Sequence, residues 1–111
     1  RLAIGAPGHD VNSSFIGSGA VFILDFGSID WNTFTSYVGT PGEGIGASID
    51  LSGDGKRVAI RRSSSPFNSS VEVYDLSYST RLGSGITCES FVSFVALSND
   101  GNRVALSCEN S

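Results

Sequence analysis

Asp50-Leu51-Ser52-Gly53-Asp54-Gly55 places oxygen donors at alternate positions, as calcium loops do when they gather about six to eight oxygens around the ion. Its counterpart later in the chain has Ala96 in place of Asp50. The following acidic ligand is missing, and Arg57 and Arg103 stand where it would be. Asp-Gly as a turn former accounts for these residues without a metal, so neither a metal nor another cofactor is expected. His9 stands beside Asp10, with Ser13 and Ser14 close by. A triad, however, needs groups that converge from fixed scaffold positions, and this is a polar loop. Gly42-Glu43-Gly44-Ile45-Gly46 has the glycines of a phosphate loop but no strand and helix to frame it, and Glu43 would repel the anion. Asp25 and Asp75 read as strand-end residues entering turns, not as an acid-base pair. No catalytic residue emerges, and the chain reads as no enzyme.

Two features bear on chemistry done to the chain. Asn12-Ser13-Ser14 and Asn68-Ser69-Ser70 are N-glycosylation sequons, each Asn the same count beyond its preceding strand (12 − 6 = 6 and 68 − 62 = 6), so Asn12 and Asn68 are the expected glycan sites. Cys88 and Cys108 are an even pair that suggests a disulfide in an oxidising compartment. With Asp100-Gly101 as a hairpin turn, Cys108 faces Ser93 and Cys88 lies roughly 17 Å along the strand. A bridge therefore requires Thr87–Ser90 to fold back across the hairpin, and a bond to another subunit stays open.

These residues need a scaffold, and the sequence describes one. Among 111 residues, 40% are hydrophobic and 16% charged, a composition that folds, and fourteen glycines separate short β-branched and aromatic runs. No stretch sustains a helical period, so the fold class is all-β. A net charge of −4 without a basic run argues against nucleic acid and anionic membranes. No run reaches the roughly 18 apolar residues of a membrane span, and an opening Arg in place of Met suggests a mature or excised piece.

Strands are expected near residues 1 to 6, 20 to 26, 31 to 38, 45 to 52, 56 to 62, 70 to 76, 91 to 98 and 102 to 108, with a weaker one over Tyr78–Thr87 and a loop over Ser63–Ser69. Ile45–Arg62 reads as a hairpin closed by a two-residue type I′ turn at Asp54-Gly55. Its template, Leu-Ser-x-Asp-Gly-x-Arg-Val-Ala, returns at Leu97–Ala105, and its second half opens the chain as Arg1–Ala6. Repeats of four antiparallel strands follow: residues 1 to 44 as a partial unit, 45 to 90 as a second and 91 to 111 as the opening hairpin of a third. Arg57 follows Arg1 by 57 − 1 = 56 positions and Arg103 follows Arg57 by 103 − 57 = 46, a difference confined to loops.

Gly46, Ser48–Leu51, Asp54, Gly55 and Arg57–Ile60, with Ala3-Ile4-Gly5-Ala6-Pro7 and Val73-Tyr74-Asp75-Leu76, resemble FG-GAP-type β-propeller repeats, the blades of integrin α-subunit heads and of many extracellular proteins. Arg61-Arg62 and Ser107-Cys108 replace Gly5-Ala6, and Ile45-Gly46 and Phe91-Val92 stand for the Phe-Gly of the name, so the resemblance is to a divergent member. It implies blade-like units, in a segment of a larger propeller or in a linear β-repeat assembly, since two units cannot close a ring. The function it implies is a noncatalytic extracellular module for adhesion or scaffolding at a cell surface or in a fibre. The alternatives are a filament subunit assembled by strand pairing between copies and a supporting segment of a larger extracellular enzyme. Expected partners are other copies or adjacent repeats, with protein or glycan ligands. The open edges are expected to be covered by neighbouring copies or units.

Overall fold

The computed structural model describes residues 1–10, 17–65 and 68–109. Asn12, Ser13 and Ser14 lie outside them. The described residues form ten strands and no helix: β1 (Leu2–Ala6), β2 (Ala20–Phe26), β3 (Trp31–Val38), β4 (Ile49–Leu51), β5 (Arg57–Ser65), β6 (Asn68–Asp75), β7 (Thr80–Arg81), β8 (Ile86–Cys88), β9 (Phe91–Leu97) and β10 (Val104–Glu109). All strand pairs are antiparallel and make three sheets. The first is β1-β2-β3. The second is β4-β5-β6 with both β7 and β8 on the outer side of β6, and the third is β9-β10.

Four expectations need correction. The Asp54-Gly55 turn is not type I′, because that turn needs positive φ at both central residues and only Gly55 has it (φ 72). The loop instead spans Gly53–Lys56 between the paired Ser52 and Arg57. The run 45 to 52 is strand only over Ile49–Leu51, since the Gly44 and Ile45 amides donate to Gly17 and Ser18 carbonyls instead of to a ladder. Ser63–Ser65 and Asn68–Ser69 are strand instead of loop, because β5 and β6 stay paired up to Ser65 and Asn68. The weak strand over Tyr78–Thr87 is broken, with Gly83 in the left-handed region between β7 and β8, which leaves the second sheet five strands instead of four.

Strand alternation decides how the sheets stack. In each sheet one strand reads bulky-small-bulky: Leu2-Ala3-Ile4, Val58-Ala59-Ile60 and Val104-Ala105-Leu106. Successive residues point to opposite faces, so the alanine and the bulky pair lie on opposite sides. Ala3, Val21, Ile23 and Tyr37 of the first sheet meet Ile49, Leu51, Val58, Ile60 and Tyr74 of the second in one core. Ala59, Val71 and Val73 on the other face of the second sheet meet Val92, Val95, Leu97, Val104 and Leu106 of the third. The alanine face of each sheet thus receives the bulky face of the next.

The joints also dictate glycines. A Cβ on Gly5 would lie 2.0 Å from the Gly46 carbonyl oxygen, so close approach of the first two sheets there requires a bare Cα. The matching residue in the second sheet is Arg61, largely buried, whose guanidinium lies 4.5 Å from the Phe91 ring centroid and donates to the Val92 carbonyl at 3.2 Å. The second joint is filled by a cation over an aromatic face where the first is closed by backbone contact.

Candidate functional site

The Ser-x-Asp-Gly-x-Arg stretches build two turns with the same wiring. In the first, Ser52 Oγ accepts from the Arg57 amide (3.0 Å), Asp54 Oδ1 accepts from the Lys56 amide (3.0 Å) and from Ser52 Oγ (2.7 Å), and the Gly55 amide donates to the Ser52 carbonyl (2.9 Å). In the second, Ser98, Asp100, Gly101, Asn102 and Arg103 repeat every one of these bonds within 0.1 Å. Both carboxyl groups sit below the usual aspartate range. For Asp54 the main cause is the Ser52 hydroxyl and then the Lys56 amide; for Asp100 it is the Asn102 amide and then the Ser98 hydroxyl. Asp54 is engaged by its own turn. Asp50 faces elsewhere, accepting the Leu97 amide of β9 at 2.6 Å, so the two carboxylates of the calcium-like stretch each have a structural partner. Among the described residues, no three His, Cys, Asp or Glu side chains gather into a possible metal site.

Arg1 and Arg57, which stand at the same position of the first and second units, reach out of their own sheets. Arg1 Nη1 donates to the Gly55 carbonyl at 2.8 Å, and Arg57 Nη1 donates to the Gly101 carbonyl at 2.9 Å and to Asn102 Oδ1 at 2.6 Å. Each guanidinium thus lies on the turn of the next sheet, at equivalent atoms. The Asp54 amide adds a bond to the Asn99 carbonyl (2.9 Å), and Gly53 is bare where Asn99 packs. Asp25, next to the end of β2, is also an ion-pair partner: its two oxygens take Arg1 Nε at 2.7 Å and Nη2 at 3.0 Å, which raises the Arg1 value and lowers that of Asp25. Asp75 does enter a turn, accepting the Ser77 and Tyr78 amides. Compared with known protein families, curated proteins and solved structures, the chain matches none.

A second polar cluster lies at the first joint. Arg62 Nη1 bonds Glu43 Oε1 at 3.0 Å, and Arg62 Nε lies 2.9 Å from Glu72 Oε2 without the alignment of a hydrogen bond. Arg81 reaches Glu72 Oε1 at 3.2 Å, and the Tyr74 hydroxyl donates to Glu72 while accepting from Arg62. Burial raises the Glu72 carboxyl, but Tyr74, Arg62 and Arg81 together outweigh it and the net shift is downward. Tyr37 stacks on Tyr74 with centroids 4.6 Å apart. Burial raises its phenol, whose oxygen has no hydrogen-bond partner among the described residues. Glu43 also accepts the Thr40 amide and so holds its own turn while tying it to β5.

The remaining candidates fall as follows. Asn68 opens β6 opposite Ser65. His9 packs edge-on to Phe22, centroids 6.0 Å apart, and Asp10 accepts the Gly17 amide. Cys88 and Cys108 are bonded, with Cα atoms 6.2 Å apart. Their approach comes from two features outside the simple register. A bulge between Leu106 and Cys108 sets Cys108 opposite Val92 instead of Ser93, and β8 runs along β6 beside the third sheet before the chain bends back at Glu89-Ser90. The Ser69 hydroxyl holds that bend, donating to the Ser90 carbonyl and accepting the Val92 amide.

Proposed function

We propose that this chain is a noncatalytic extracellular β-repeat module of FG-GAP-like units, serving adhesion or structural scaffolding at a cell surface or in a fibre. The observation that carries the reading is the pair of equivalent arginine bonds, Arg1 to Gly55 and Arg57 to Gly101. Arg1 and Arg57 join one unit to the next, and the Ser and Asp side chains of the motif are engaged by their own turns. Blade-like units stacked through such joints present broad, rigid surfaces, which suits a scaffold. The Cys88–Cys108 bond and the two sequons favour an oxidising, secretory route.

The test is localisation by an antibody raised to the folded chain, applied to intact and permeabilised cells and to the extracellular matrix fraction. The expected outcome is labelling of unpermeabilised cells or of matrix. Signal that appears only after permeabilisation would sink the proposal.

A further inference from the structure

Resting on the repeat reading above, we infer that the outer face of the first sheet is a docking surface for the outer face of the third sheet of a second copy, giving head-to-tail association. In the second and third sheets the bulky pair of the triplet packs into a core: Val58 and Ile60 are fully buried, and Val104 and Leu106 pack against Val92 and Val95. The same positions in the first sheet are Leu2 and Ile4, which are 43% and 42% exposed. They pair directly with Leu24 and Phe22, which are half-buried, and these four share the side of the first sheet opposite Ala3, with the His9 ring edge-on to Phe22. At the opposite end of the stack the third sheet presents its alanine face. Ala105, opposite Ala96, is exposed, with Phe94 at 59% two residues from Ala96.

What covers a bulky face is shown twice within the chain: the alanine face of another sheet. The free alanine face and the free bulky face are the two halves of that joint, so a second copy completes it by continuing the stack. Such an interface is heterologous, pairing different surfaces of two identical chains, and leads to rings or filaments according to the rotation between copies. It differs from strand pairing at sheet edges, because it uses faces and leaves the edges alone. Arg103, two residues before Ala105 on the same face, makes no side-chain hydrogen bond or ion pair with any described residue and supplies a guanidinium at the rim of the contact.

Sedimentation velocity of the whole chain from micromolar to sub-millimolar concentration tests this, with Ile4→Lys and Ala105→Lys each checked for an unchanged urea midpoint. Wild type should rise with concentration above the monomer mass of 11.6 kDa, and each variant alone should lose polymerisation. An equal mixture of the two should stop at twice the monomer mass, because each variant retains the face that the other lacks. A wild-type chain that stays at the monomer mass throughout would overturn the inference. So would association that survives both substitutions, as edge pairing predicts, or loss in Ile4→Lys alone, as self-pairing of the Leu2 face predicts. Intracellular localisation would defeat the functional proposal and leave this result standing.

Discussion

At the scale of the residue, the arginines and glycines of the motif are halves of the same contact. Gly101 holds φ 72 beneath the Arg57 stem, where a Cβ would meet Cδ at 2.7 Å, so it serves both the left-handed turn and the seat of the guanidinium. Gly5 makes the sharper test. Its added methyl would meet backbone oxygen, which cannot step aside, and overpacking of this kind costs about 1–3 kcal/mol. Gly5→Ala is therefore expected to lower the urea midpoint, whereas Gly8→Ala, with nothing within 4 Å, should leave it nearly unchanged. Arg62 sits between two carboxylates that are 9% and 15% exposed, and Arg62→Ala leaves Glu43 with only the Thr40 amide and Glu72 with only Arg81 and Tyr74, with an expected loss of about 2–3 kcal/mol in chemical denaturation. The pH dependence has a definite sign. Glu72, Asp54 and Asp100 have folded values below their unfolded ones, so their contribution is present above the unfolded carboxylate range of about pH 4 and fades as pH falls through the lower folded values. Melting curves should show stability falling on acidification below about pH 4. Arg62→Ala should flatten that fall, since Glu72 then loses a partner that holds its value down.

At the scale of the element, most strands were legible because period-two alternation bounded by glycine is a local signal. β2 and β3 lie at the expected residues, and β1, β5, β6, β9 and β10 begin and end within about three. The misses have nonlocal causes. β4 is short because Gly44 and Ile45 bond to the Gly17–Ser18 segment of the first unit, far away in sequence. The Asp-Gly turn was visible but its type was not, since Ser52 and Asp54 rewire the loop with their side chains. The Cys88–Cys108 approach depended on the bulge at Leu106/Cys108 and on the Ser69 hydroxyl, neither of which carries a pattern. The arginine joints were written in the repeated Arg but required the stacking to be interpreted. The disulfide closes a sequence separation of 20, and loss of such a link costs about 3 kcal/mol. A Cys88→Ser, Cys108→Ser variant is expected to lose about that much and to show faster amide exchange in β9 and β10 than in β1–β3.

At the scale of the whole molecule, three sheets lie in series with one core in each gap, so every sheet is stabilised by its immediate neighbours. Interactions across the two joints should be nearly independent. Arg1→Ala and Arg57→Ala touch different turns, and their effects on the denaturation midpoint should add within about 0.5 kcal/mol. A marked departure from additivity would show that the gaps communicate through the second sheet.

The bulky-small-bulky triplet also has a genetic consequence. A segment running from one Leu-Ser-x-Asp-Gly turn to the next carries one face of each polarity, so an in-frame tandem duplication of such a segment adds a sheet whose two surfaces already fit its new neighbours. Replication slippage or unequal crossing-over between the two near-identical motifs would thus yield foldable chains of altered copy number in a single step.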